Sequence, residues 1–157
     1  MRFISIFCFL SLSLFADTIA DVEYQSPNLE GWDLVGDFEG KEGKALIYSR
    51  ITEDGTEYFG ATNCPISTEI PNLAALEEEL QKLSPGSPLT VSILETSPTS
   101  ILYSWEAPSG KELAIHGLCR TFSTEKGTTG LVYMNRYDEN PERPIWLKIL
   151  QEAKLIE

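Results

Sequence analysis

The chain is poor in the residues that perform chemistry. It has one histidine, His116, three cysteines, and half as many cations as carboxylates, 12 Lys plus Arg against 24 Asp plus Glu. It contains no phosphate-binding loop, no GxSxG and no HExxH, so nucleotide-hydrolase, α/β-hydrolase and zincin chemistry lack their residues. No Lys/Arg-rich run occurs, and the formal net charge is −12. Nucleic-acid binding needs cations that displace counterions from phosphates, and an acidic surface repels phosphates and anionic headgroups. The balance argues against nucleic acid and suits a basic protein partner.

What is present describes a folded domain. The 157 residues are 42% hydrophobic and 23% charged, a composition and length that suit one globular domain. The first segment reads as an address. Arg2 supplies a positive start, and Phe3 to Phe15 is apolar or small throughout. At about 13 residues this run falls short of the roughly 20 that span a bilayer as a helix. Small residues at Thr18-Ile19-Ala20 fit signal-peptidase cleavage after Ala20, with an earlier cut after Ala16 as the alternative. Residues 1–20 are therefore expected to be a removed signal, 21–31 a loose polar leader, and 32–157 the single domain. The mature chain is expected in the periplasm or outside the cell, not spanning a membrane.

Export changes the meaning of the cysteines. Cys8 leaves with the signal, and Cys64 with Cys119 make an even pair in an oxidising compartment, which reads as a disulfide. Closing that loop would contribute about 4 kcal/mol on the chain-entropy model. Two free buried thiols, or a reactive or metal site using His116 and Cys119, are the competing readings. The last is disfavoured because an odd separation along a strand sends the two side chains to opposite faces. No cofactor, metal or catalytic residue is expected.

Strand-length runs with turn signals fill most of the domain. Trp32, Leu34 and Phe38 alternate with Val35 out of phase, and Gly40 to Gly43 makes a turn. Lys44 to Thr52 and Thr56 to Asn63 flank an Asp54-Gly55 hairpin signal. Asn72 to Leu83 changes period: Leu73, Leu76, Leu80 and Leu83 share one face of a helix that Asn72 caps. Four further strands are expected over Leu89–Glu95, Thr99–Ala107, Lys111–Ser123 and Thr128–Tyr137. Their short connections predict an antiparallel meander. A closing helix starts near Pro144 and buries Trp146, Ile149, Leu150 and Ala153. In the later strands both alternating sets are apolar, which predicts cover on both faces of the sheet.

The class is thus α+β, with the order βββ-α-ββββ-α. That order, over Trp32 to the C-terminus, resembles the PsbP-like superfamily of α/β/α sandwiches. The resemblance implies a three-layer sandwich and a binding or assembly role without catalysis. It transfers no functional residue.

Function is expected to be binding. Tyr103 with Trp105, and His116 with Arg120, share strand faces and are residue types enriched where interfaces bury their centres. They are the candidate partner-binding residues, with core packing as the competing fate of the aromatics. An acidic inhibitor or immunity-type protein that blocks a basic enzyme is the second reading. A small hydrolase with an unadvertised site is the third.

Overall fold

The computed structural model describes residues 16–53, 55–82, 85–107, 115–136 and 141–156. The apolar run Phe3–Phe15, Asp54 of the expected hairpin, Leu83, and the segments 108–114 and 137–140 lie outside the described residues. The chain is α+β and every pairing is antiparallel. Strands β1 (Ala16–Ile19) and β2 (Val22–Gln25) lead into β3 (Asp33–Gly40), β4 (Gly43–Ile51) and β5 (Thr56–Cys64). Helix α1 (Leu73–Gln81) follows, then β6 (Thr90–Ser97), β7 (Ser100–Ala107), β8 (Ile115–Thr124) and β9 (Gly127–Asn135). Helix α2 (Arg143–Glu152) and the short β10 (Lys154–Leu155) close the chain. Two meanders, β3-β4-β5 and β9-β8-β7-β6, join through β5 and β9 into one seven-stranded sheet. A second sheet has the order β1-β2-β10.

Local chemistry explains the breaks. The Asn72 side chain accepts a hydrogen bond from the Ala75 amide at 3.0 Å and so caps α1. Pro144 lies in the first turn of α2, where a missing N–H costs nothing. The β3–β4 turn ends at Gly43, whose φ of +127° L side chains rarely adopt; a Cβ there would also strike the Asn63 carbonyl. The out-of-phase Val35 is the extra residue of a bulge between Leu34 and Gly36.

The sheet buries its two faces unequally. Phe59 and Ala61 of β5, Leu118 of β8, and Leu131 and Tyr133 of β9 point to the side that carries Trp146, Ile149 and Leu150 of α2. On the other side Leu76 and Leu80 of α1 pack on Ile101, Tyr103, Trp105 and Cys119. Gly117 is required there, because any Cβ would run into the Trp105 ring. Cover on both faces therefore holds at β7, where only Glu106 is exposed. It does not hold across β5 and β9. Their α2-side residues are buried, while the alternate residues are only half-buried.

The segment read as a loose leader is ordered and paired. Val22 and Tyr24 of β2 are buried in the α2-side core, joined by Ile19 of β1 at 2% exposure. Two alternating apolar residues suffice here because α2 supplies the opposing surface. The small sheet and α2 together cover that face, an arrangement with three strands more than the expected order. Among the described residues no helix is long and apolar enough to cross a membrane.

Candidate functional site

The four residues singled out for binding do not form one surface. Register places Tyr103 opposite Cys119 and Trp105 opposite Gly117, whereas His116 and Arg120 stand opposite Glu106 and Leu102. The two pairs therefore point to opposite faces of the sheet. Tyr103 and Trp105 lie beneath α1, with Trp105 3% exposed and the two ring centroids 5.9 Å apart. Burial raises the Tyr103 hydroxyl well above its ordinary pKa, as expected for a core phenol. Core packing is their role.

Arg120 is also committed. Its guanidinium donates to Glu95 Oε2 at 2.6 Å and to Ser100 Oγ at 3.0 Å, lies over the Phe122 ring, and has 12% of its side chain exposed. That bond, with a second from Gln151, holds Glu95 below the ordinary carboxylate range. The His116 side chain is 23% exposed, with Nδ1 3.9 Å from Glu106 Oε2.

The disulfide is corrected. Cys64 stands opposite Thr128 on β9, and Cys119 opposite Val132 on the same strand. Strand β9 lies between them, and four residues of stagger add to two strand spacings. The separation is roughly 16 Å at ordinary sheet dimensions, against the 7 Å limit for bridging Cα atoms. Both are free thiols, Cys64 exposed and Cys119 buried. Burial pushes the Cys119 thiol up, opposed by hydrogen bonds from Tyr103 and Thr121. A thiol reagent will therefore modify Cys64 in the folded protein and reach Cys119 only on unfolding. Equal native reactivity, or no reaction at Cys64, would contradict this placement.

One polar cluster escaped the sequence reading. Glu57 is fully buried; it accepts from the Tyr133 hydroxyl at 2.6 Å and from Arg50 Nε at 2.6 Å. Arg50 also donates to Glu142 Oε1 at 2.9 Å and lies 5.0 Å over the Trp32 ring. Burial works against the Arg50 charge, but the two carboxylates more than offset it and raise its pKa. Arg50 and Glu57 stand directly opposite across the β4–β5 hairpin, so the turn at residues 52–55 carried the signal. A cleft of about 180 Å³ opens beside the cluster between Glu30 and Ile145. Both Glu57 oxygens are occupied by internal donors. The cluster therefore ties the start of α2 to the sheet.

The open part of the molecule is the α1-side face over β3, β4 and β5. Its cross-strand rows run Asp33–Ser49–Tyr58, Gly36–Ile47–Gly60 and Phe38–Ala45–Thr62. Small residues floor it. Phe38 at 62% and Ile51 at 85% exposure rim it, with Val35 at the bulge also exposed. Two shallow clefts of about 510 and 200 Å³ meet at Phe38. Asp33, Asp37 and Glu39 line β3, which itself carries no cation; Lys44 of β4 lies 3.6 Å from Glu39. Among the described residues strand β3 pairs with β4 alone, so its outer backbone N–H and C=O groups face away from the sheet. The signal for this face was present in the apolar β3 residues, but which strand forms an edge depends on the β5–β9 pairing. Among the described residues no group of three or more His, Cys, Asp or Glu side chains gathers as a metal site. No family model matches this chain, and no curated protein is significantly similar to it.

Proposed function

We propose that this chain is an exported, non-catalytic binding or assembly factor that holds a protein partner against the open face of β3, β4 and β5. The observation that supports the reading is the exposure of Phe38 and Ile51 on the half of the sheet that α1 leaves uncovered. Large apolar residues grouped on an exposed face mark interaction sites. The net charge of −12 and the carboxylates of β3 favour a basic partner, and a basic enzyme held by an inhibitor meets the same requirement. In the PsbP-like reading the fold is a three-layer sandwich, with α2 and the small sheet as one outer layer and α1 as half of the other. A partner element would complete that half.

The test is partner capture with Phe38→Asp and Ile51→Asp, using Ile145→Asp, an exposed residue of α2, as the control. The first two should lose capture with a nearly unchanged thermal midpoint, and the control should retain it. Capture lost only in the Ile145 variant would move the site to α2 and end this reading.

Export also yields a processing prediction. A cut after Ala20 would remove Ile19 from the core, and truncating a buried Ile to Ala typically costs 2–5 kcal/mol. A cut after Ala16 loses only the Ala16–Gln25 pair and keeps Ile19 in place opposite Val22. The mature chain should therefore begin at Asp17, which N-terminal sequencing of the exported protein will read directly. A mature chain beginning at Asp21 would contradict it.

A further inference from the structure

We infer that the partner segment binds as an added β-strand along β3, and that its sequence alternates apolar and basic residues. The inference rests on the reading of this face as the partner surface and gives the partner its chemistry. Beyond the bulge, Gly36 to Gly40 forms a regular run whose outer hydrogen-bonding groups are unpaired by the sheet. Strand addition uses such an edge, with backbone bonds supplying affinity and alternate side chains supplying specificity.

Register assigns the two faces of that run. Gly36 and Phe38 stand opposite Ile47 and Ala45, on the α1 side. Asp37 and Glu39 stand opposite Leu46 and Lys44, on the α2 side. Gly40 leaves open sheet on one side of Phe38, and Gly36 on the other lets the Phe38 ring lie down beside Ile47, so apolar partner residues on that face gain the ring as a cross-strand neighbour. On the other face the added strand meets Asp37 and Glu39, two carboxylates with Lys44 as the one cation paired to them among the described residues, and a Lys or Arg there completes the balance.

The same carboxylates argue against a second copy of this chain. Antiparallel self-pairing centred on Phe38 would set Asp37 opposite the second copy's Glu39, and Glu39 opposite its Asp37, and like charges directly opposite are destabilising. The other edge, β6, differs in kind. Its one charged residue, Glu95, is already paired with Arg120. A basic strand therefore selects β3 over β6.

The probe is a seven-residue peptide alternating valine and lysine, titrated into the folded protein while its amide and methyl resonances are followed. A glutamate-for-lysine version and a version N-methylated on one edge complete the set. Binding of the lysine peptide should shift the amides of residues 36–40. It should weaken at least tenfold on N-methylation, weaken similarly with Asp37→Asn/Glu39→Gln, and vanish for the glutamate peptide. Indifference to N-methylation with shifts confined to Ile47 and Ile51 would overturn strand addition and leave the face intact. Absence of shifts at both places would overturn the face as well. A stable dimer of the free protein paired through β3 would replace the basic strand by a second copy and also defeat the inference.

Discussion

Trp146→Ala will destabilise the protein by roughly 3–5 kcal/mol, the range for removing a large buried aromatic. The ring is stacked on Tyr133 with centroids 4.4 Å apart, lies 5.2 Å from Phe59, and receives the edge of Trp32 at 5.6 Å. These rings come from α2, β9, β5 and the segment before β3, so one side chain joins four parts of the chain. The cavity left behind has rigid walls, because the sheet cannot close toward the helix without breaking its ladder. A fall in thermal midpoint on the order of 10 °C follows for a chain of this size. Trp146→Phe should recover a substantial part of it. A midpoint within 2 or 3 °C of the parent would show that α2 does not pack in this register.

Arg50→Leu should cost about 3 kcal/mol, near the low end for breaking a buried ion pair, because the Arg50 side chain is 26% exposed. The loss comes from Glu57, which stays buried with the Tyr133 hydroxyl but without its cation. That origin makes the prediction specific. Glu57→Gln removes the charge while keeping an acceptor for Tyr133, so Arg50→Leu/Glu57→Gln should regain more than half of the lost stability. Urea denaturation of the three variants decides it. If the double variant is no more stable than Arg50→Leu, packing of Arg50 over Trp32 outweighs its charge, and the pair is not the reason for its position.

Elements written in local signals were legible in the sequence. Asn72 with the Leu76 and Leu80 spacing specifies α1 within two residues at its start, and Pro144 with Trp146, Ile149 and Leu150 specifies α2. The strands of the large sheet follow from alternation punctuated by glycine turns, and even the β3 bulge left its trace in Val35. Strand β2 was not legible, because Val22 and Tyr24 give only two periods in a polar segment. Its burial depends on α2, more than a hundred residues away. The separation of the two cysteines, and the face each of the four candidate contact residues occupies, were not legible. The β5–β9 contact separates Cys64 from Cys119, and the β7–β8 register sets Tyr103 and Trp105 on the face opposite His116 and Arg120; no local pattern reports either. The Arg50–Glu57 pair differs, since a hairpin turn fixes it and the sequence contained that turn.

The small sheet has a consequence for the order in which the chain assembles. Leu155 pairs with Val22, and the Ile156 amide donates to the Asp21 carbonyl, so the sheet joins β1 and β2 to β10. Closing a loop that contains nearly the whole domain carries the largest entropic cost of any contact in the molecule. It becomes affordable only after the seven-stranded sheet and α2 have drawn the two ends together, as slow formation of non-local pairings requires. The clasp therefore forms last. It waits for Leu155 and Ile156 to dock, and until they do the Ile19–Val22 flank of the core stays wet.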